Sequence, residues 1–190
     1  MPWTVKTPPA SYPVDLETAL DHLRLGGDDG GHNARVTAAL AATTTIIERD
    51  IDGAMVQRTI VAHYDGFPGA DDELTLPISP AIAVVAIKYL DADGVEQTLS
   101  TDVYRADVVR RPGRVTLQPG QSWPETRRLT GAVTVEYTAG YAQVPDDLVA
   151  AVQLLTAHLF ENPEATSSLK LNAIPMGVDR ILREHRRVRL

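Results

Sequence analysis

The spacing of apolar residues along the chain predicts helices near both ends and strands between them. Over Leu16–Leu23 apolar residues recur every three or four positions, the period of an amphipathic helix, and Asp15 is placed to cap it. A second helix is predicted from Asp28 or Asp29 to about Asp50. Its apolar face consists of Val36, Ala39, Leu40 and Ile47.

The pattern changes to a period of two over residues 54–141, which predicts a small antiparallel β unit of about six strands. Two pairs of runs are separated by turn sequences, Asp91–Gly94 and Arg111–Arg114, and each pair is predicted to form a hairpin. The candidate strands are Val56–Tyr64, Glu73–Pro77, Ala81–Leu90, Val95–Leu99, Tyr104–Val109, Val115–Gln118 and Ala132–Tyr137.

Helical spacing returns after Pro145. Apolar residues over Leu148–Leu159 form one face, and the acidic pair Asp146 and Asp147 favours a helix N-terminus because the helix dipole is positive there. A last helix is predicted over Val178–Val188. One side of it consists of Val178, Ile181, Leu182 and His185.

Together these elements predict an α+β fold: a small helical bundle with an inserted antiparallel β-sheet unit and a C-terminal helix or arm. The predicted organisation has five parts. They are an N-terminal arm (1–13), a helical part (14–53), the inserted β unit (54–141), a long helix that completes the bundle (142–164) and a basic C-terminal arm or helix (165–190).

The composition narrows the classes of function. The chain has 190 residues and no cysteine, which excludes disulfides, cysteine-ligated metals and thiol nucleophiles and suits a reducing cytoplasm. No apolar run approaches the length of a membrane span, and residues 1–12 lack the apolar stretch of a signal peptide. We therefore expect no membrane partner.

The net charge of −7 is unevenly distributed. Residues 170–190 hold six basic and two acidic side chains, a charge of +4; the other 169 residues hold 12 basic and 23 acidic ones, a charge of −11. An acidic body argues against general nucleic-acid binding. The basic segment is predicted to seek a partner, such as the acidic face of another copy.

No arrangement of residues predicts catalysis, a metal or a cofactor. The five histidines show none of the spacings typical of metal ligands. Gly120–Pro124 begins like a nucleophile elbow, but Pro124 stands where a glycine is required. The Gly-rich stretch Gly26–Gly31 holds two aspartates, which would repel a phosphate. We therefore expect a protein that is not an enzyme and has no cofactor.

An ordered set of short segments carries a family resemblance over roughly Tyr12–Glu164. In chain order they are Pro13–Leu16, His22–Leu25, Ile47–Asp50, Gln57–Thr59, Phe67–Pro68, Leu74–Pro80, Lys88–Gly94, Ser122–Pro124, Val133–Tyr141 and Val144–Leu148. Their order and spacing resemble the head–tail connector (adaptor) family of long-tailed phages and phage-derived gene transfer agents, in its longer form with a β insertion.

The resemblance implies a structural component of a phage or gene-transfer-agent particle, assembled in the host cytoplasm and located at the head–tail junction. Such adaptors form a ring, of about twelve copies, below the portal protein. The ring extends the DNA channel and presents a docking face for the stopper or tail protein. DNA passes through without sequence recognition, and an acidic wall suits that passage because it does not bind the phosphates.

In this family, C-terminal segments commonly reach toward the portal. We carry this over to Val178–Leu190 as a hypothesis, because its arginines accompany apolar residues and the segment can bury an apolar edge while pairing its charges. The predicted portal-binding residues are Ile181, Leu182, Arg183, Arg186, Arg187, Arg189 and Leu190.

Two other classes of function stay open at this point. A ligand-binding β module, for a glycan or a peptide, would use Trp123, Tyr104 and Tyr137 as stacking residues. A small hydrolase would use histidine and aspartate, with His22 or His158 as the candidate histidine.

Overall fold

The computed structural model describes residues 2–26, 31–69, 72–162 and 176–186. The chain divides into two compact units, each built from two separate stretches of sequence. One consists of Met1–Pro9 with Gln57–Tyr141 and contains the strands; the other consists of Ala10–Val56 with Ala142–Leu190 and contains the helices. The predicted α+β class is confirmed.

The helical unit is built from elements that the apolar spacing predicted. They are α1 (Leu16–His22), α2 (Asn33–Ile51), α3 (Asp146–Glu161) and α4 (Met176–His185). Asp15 caps α1, since its Oδ1 accepts the amide of Thr18 at 2.8 Å. α2 begins at Asn33, with His32 as its N-cap, and α4 ends at His185. The start of α2 expected at Asp28 or Asp29 and the end of the last helix expected at Val188 lie outside the described residues.

The core of the helical unit lies between α2 and α3, which contact each other along their apolar faces. α1 and α4 pack against the same pair of helices. The fully buried side chains are Val36, Leu40 and Ile47 from α2 and Leu148, Ala151 and Val152 from α3. Their removal from water, worth about 1.5–3 kcal/mol for each large side chain, holds the helices together.

The Thr43–Thr45 run in α2 is stabilised although threonine is a poor helix former. Thr43 is fully buried and its hydroxyl accepts a hydrogen bond from the Thr156 hydroxyl of α3 at 3.3 Å. Thr44 and Thr45 donate to the carbonyls four residues earlier, at 2.7 and 2.9 Å. Packing against a neighbouring helix therefore holds this stretch.

The β unit contains two antiparallel sheets. The five-stranded sheet has the order β1-β2-β8-β4-β5 and the three-stranded sheet the order β3-β7-β6. The strands are β1 (Trp3–Thr7), β2 (Arg58–Tyr64), β3 (Leu74–Thr75), β4 (Ala81–Leu90), β5 (Glu96–Thr98), β6 (Tyr104–Asp107), β7 (Arg114–Leu117) and β8 (Val133–Ala139). Both predicted hairpins form, as β4–β5 and β6–β7.

The first residues of the chain differ from the arm expected over residues 1–13. Trp3–Thr7 forms β1, an edge strand that pairs with β2 in the register Trp3↔Ala62. Without β1, β2 would present unpaired backbone groups at the edge of the sheet. Two features of the sequence hid this strand. The segment contains several prolines, and the strand is exposed along its length, so apolar and polar residues do not alternate clearly.

The centre of the large sheet is β8, paired with β2 on one side and β4 on the other. Its residues alternate between buried and half-buried positions, and Val133, Val135, Tyr137 and Ala139 point into the core. Gly140 then takes φ +112°, a region that favours glycine, and donates to the carbonyl of Pro80 at 2.9 Å. This glycine therefore allows a tight turn directly after the last strand.

Two buried tyrosine hydroxyls connect the large sheet to the segment that contains β3. Tyr64 donates to the carbonyl of Thr75 at 2.7 Å, and burial raises the pKa of its phenol. Tyr137 is fully buried, and its hydroxyl accepts the amide of Ile78 at 2.9 Å. Within the described residues, no helix is long and apolar enough to cross a membrane.

We predict that Tyr137→Phe lowers the free energy of unfolding by about 1–3 kcal/mol, because the buried Ile78 amide loses its acceptor. The matched control is Tyr141→Phe, which removes an exposed hydrogen bond from Arg111 and is expected to cost less than about 1 kcal/mol. Urea denaturation followed by circular dichroism measures both. Equal values for the two variants would show that the buried hydroxyl carries no structural role.

Candidate interaction site

The predicted portal-binding segment begins in α4, an amphipathic helix that contacts α2 and α3. Val178 and Leu182, one turn apart, are fully buried, and Ile181 beside them is half-buried. Arg183 lies on the exposed side and forms an ion pair with Asp179 at 2.6 Å. The helix therefore has one face in the core of its unit and one face in solvent.

The C-terminal end of α4 is tied to α2 by an ion pair. The Arg186 guanidinium donates to both carboxylate oxygens of Asp50, from Nε at 3.0 Å and from Nη2 at 2.7 and 2.8 Å. Asp179 lies 3.6 Å from the same guanidinium and adds a second negative charge. A bidentate ion pair of this kind fixes the orientation of the guanidinium. It also raises the pKa of Arg186 above its ordinary value.

A second polar contact joins α4 to the first turn of α3. His185 Nε2 and Asp147 Oδ2 are 2.6 Å apart, and Asp147 also accepts the amide of Leu148 at 2.8 Å. The hydrogen bond from His185 is the main reason that the pKa of Asp147 lies below its ordinary value. The side that the sequence assigned to Val178, Leu182 and His185 is the side that faces the unit.

The structure divides the seven predicted portal-binding residues into three groups. Leu182 and Arg186 are engaged within the helical unit, by burial and by the Asp50 ion pair. Ile181 is half-buried and Arg183 is exposed. The remaining three residues, Arg187, Arg189 and Leu190, lie outside the described residues.

Sequence reasoning missed the acidic partners of this segment. Asp50 lies 136 positions before Arg186, and Asp147 lies 38 positions before His185, so no local pattern connects them. The charge imbalance was the available signal, and it suggested the acidic face of another copy. Arg186 instead uses an acidic residue of its own chain, because the packing of α4 on α2 brings Asp50 within reach.

The three aromatic residues considered for ligand stacking do not form an open platform, and the structure gives the ligand-binding alternative no support. Tyr137 is fully buried and Tyr104 is 7% exposed. Trp123 stacks on Phe67 at 4.8 Å between ring centroids, and Phe67 packs edge-on against Tyr89. Tyr104 and Tyr137 therefore lie inside the β unit, whereas Trp123, Phe67 and Tyr89 form a half-buried aromatic cluster.

The described residues contain no group of three or more His, Cys, Asp or Glu side chains that could hold a metal ion. His22 and His158, the candidates for a hydrolase, lie in the last turns of α1 and α3. The His158 carbonyl accepts the side-chain amide of Asn162 at 3.0 Å, a contact that closes the end of α3, and the geometry adds no support to the hydrolase class.

Comparison with known proteins gives a consistent result. Residues 28–188 match the model of a protein family described as head completion protein. No curated protein matches the chain. The chain is similar to solved chains from two necks of gene transfer agent (GTA) particles. One is the neck of an empty particle, computed with C6 symmetry (29% identity, TM-score 0.80), and the other the neck of a native particle, computed with C12 symmetry (27%, 0.70).

A chain of the virion of the native GTA particle is similar to the same degree, with 27% identity and a TM-score of 0.80. In all three comparisons the match covers 100% of this chain and 97% of the other chain. The similarity therefore extends over both units and is not confined to a shared motif.

We predict that Leu182→Ala weakens the docking of α4 by about 2–4 kcal/mol, because it removes a fully buried side chain. The amides of α4 then exchange with deuterium faster than those of α2 and α3. Ile181→Ala is the matched control, and its half-buried side chain leaves a smaller effect. Unchanged exchange in Leu182→Ala would contradict the packing described above.

We also predict that the Asp147–His185 contact is lost in acid. The pKa of Asp147 is lowered on folding, so its ionised form stabilises the native state above the ordinary carboxyl range near pH ~4 and loses this effect as the pH falls through the lowered value. The part-exposed carboxylate limits the contribution to less than about 1 kcal/mol.

Asp147→Asn therefore shows a shallower loss of stability below pH ~4 than the unmodified chain, as denaturant unfolding across the pH range measures. Asp146→Asn, which changes the neighbouring exposed carboxylate, retains the steeper loss. Parallel curves for Asp147→Asn and the unmodified chain would contradict a role for this contact.

Proposed function

Because this chain belongs to the head completion protein family, we propose that it forms a ring below the portal of a phage or gene-transfer-agent particle and docks the stopper or tail there. It is a structural head–tail adaptor, as the ordered motifs of the sequence predicted. The observation that carries the proposal is the match over both units to a chain of a particle neck.

Ring formation is supported by the symmetry of the necks that contain similar chains, C6 in one and C12 in the other. A ring requires head-to-tail contacts between two different surfaces of each copy, repeated until the ring closes. We infer a ring of this kind for this chain, with a copy number compatible with twelve. Its place is the head–tail junction of the particle.

The charge distribution supports a passive channel for DNA. Residues 1–169 carry a charge of −11, and acidic walls repel the phosphates that pass them. DNA then crosses the ring without sequence recognition. In this proposal the protein has no catalytic function; its contribution to the particle is shape, charge and docking surfaces.

The C-terminal segment is the proposed contact with the portal. α4 holds the segment at a defined place on the helical unit, through buried Leu182 and the Asp50–Arg186 pair. This leaves Ile181, Arg183 and the residues after Arg186 as the proposed contacts with a partner. The arginines at 187 and 189 then supply positive charge to an acidic surface of the portal.

The test is binding of the full chain to its cognate portal, measured by native mass spectrometry. Removal of Val178–Leu190 would also remove buried core residues, so a smaller change is the sharper test. We predict that the charge reversal Arg187→Glu/Arg189→Glu raises the portal Kd at least about tenfold, equal to about 1.4 kcal/mol, and that added salt weakens the unmodified contact.

The matched control is Arg127→Glu/Arg128→Glu, which makes the same change in net charge in the β unit and leaves portal binding intact. Equal binding by the tail variant and the unmodified chain would refute the role of the tail. A chain that never associates with portal, either as free protein or in particles, would refute the adaptor function. A free monomer would not, since some rings assemble only on their template.

A further inference from the structure

The end of the β6–β7 hairpin carries an exposed apolar residue. Val109 is 90% exposed, the highest value among the large apolar side chains of the described residues. Arg110 and Arg111 follow it directly, and the Arg110 side chain is exposed as well. An isolated valine on a surface needs no explanation, but one at the tip of an ordered loop between charged residues is typical of an interface.

Contacts on both sides hold this loop in one conformation. The Asp107 carboxylate accepts the amides of Val109 and Arg110 at 3.2 and 3.4 Å and pairs with the Arg110 side chain at 3.2 Å. Arg111 lies 5.2 Å from the ring centre of Tyr141 and donates to its hydroxyl at 3.1 Å.

At the other end of the loop, the carbonyl of Gly113 accepts the amide of Leu76 at 2.8 Å. A side chain at this position would approach the Cβ of Ala81 to 3.0 Å, so the glycine allows the loop to lie close to the sheet. The loop is therefore organised before it meets any partner, which lowers the entropic cost of binding.

The hairpin also differs in net charge from the rest of residues 1–169, since it is basic and they are acidic. Residues 104–117 hold four arginines and one aspartate, a charge of +3, whereas the rest of residues 1–169 holds eight basic and 22 acidic side chains, a charge of −14. A second copy of the same chain carries the same acidic excess outside its hairpin. The charges of the two copies are therefore complementary.

We propose that the hairpin end, residues 108–113, is the surface with which one copy docks on the acidic body of the next copy in the ring. This inference rests on the ring of the proposed function and adds the identity of one of its two contact surfaces. Val109 inserts into the neighbour, and the arginines around it face the neighbour's carboxylates.

DNA is the less favoured occupant of this surface. The surrounding charge of −14 repels a duplex at longer range. A phosphate contact would also make no use of the exposed valine.

The absence of cysteine from the chain allows a direct test. Val109→Cys carries a benzophenone crosslinker at a single site. Val95→Cys is the matched control, because Val95 is another exposed valine (55%) and lies in the β4–β5 turn. Each labelled full chain is assembled with its portal into necks and irradiated, and the crosslinked peptides are identified by mass spectrometry. Thermal unfolding checks that both variants fold.

We predict that the label at position 109 crosslinks to a peptide from the body of another copy, and that the label at position 95 does so severalfold less. In an independent test, Val109→Asp raises the protein concentration needed for ring assembly about tenfold. The reason is that it places a negative charge at the centre of the contact, against the acidic body of the neighbouring copy. Crosslinks from position 109 to portal, stopper or DNA, or none at all, would overturn the proposal. If the assembled necks contain none of the unmodified chain, the proposed ring function is refuted. This result is obtained before any crosslinking, so it is distinguishable from failure of the hairpin contact.

Discussion

The pairing of β2 with β8 is the contact on which the rest of the arrangement depends. Arg58 lies directly opposite Ala139 in this strand pair. These residues, near the two ends of the inserted β unit, are therefore only about 5 Å apart. A β unit as long as Gln57–Tyr141 is thereby inserted between α2 and α3 while those helices still pack on each other. The strand pairs of the inserted unit offset the entropic cost of closing such a long loop.

Each unit is consequently complete in its own core and can present its surfaces to other proteins. In the β unit, the hydroxyls of Tyr64 and Tyr137 satisfy buried backbone groups at the junction of the two sheets. In the helical unit, Leu182 and the Asp50–Arg186 pair hold α4 in place. A subunit of a neck assembly needs this combination, because a ring is built from contacts that must not compete with the fold of each copy.

Much of the fold could be predicted from local spacing, and the exceptions share a cause. The cap of α1, the apolar faces of α1, α2 and α3, and both hairpins follow from periodicity and turn residues within one segment. β1 escaped prediction because an edge strand is exposed along its length, so alternation is weak. Tyr104 and Tyr137 appeared to be available for stacking because composition does not show burial, and the sheets place both inside the unit.

The sequence by itself determined most of the secondary structure, the division of charge into an acidic body and a basic C-terminal segment, and the family, through the order of its short motifs. Only the tertiary structure decided which of the C-terminal residues remain available. Leu182 and Arg186 are engaged by residues of distant segments, and Arg186 meets Asp50 across 136 positions of chain. Periodicity acts over a few residues along the chain, whereas ion pairs and burial depend on distance in space, which only the packed structure fixes.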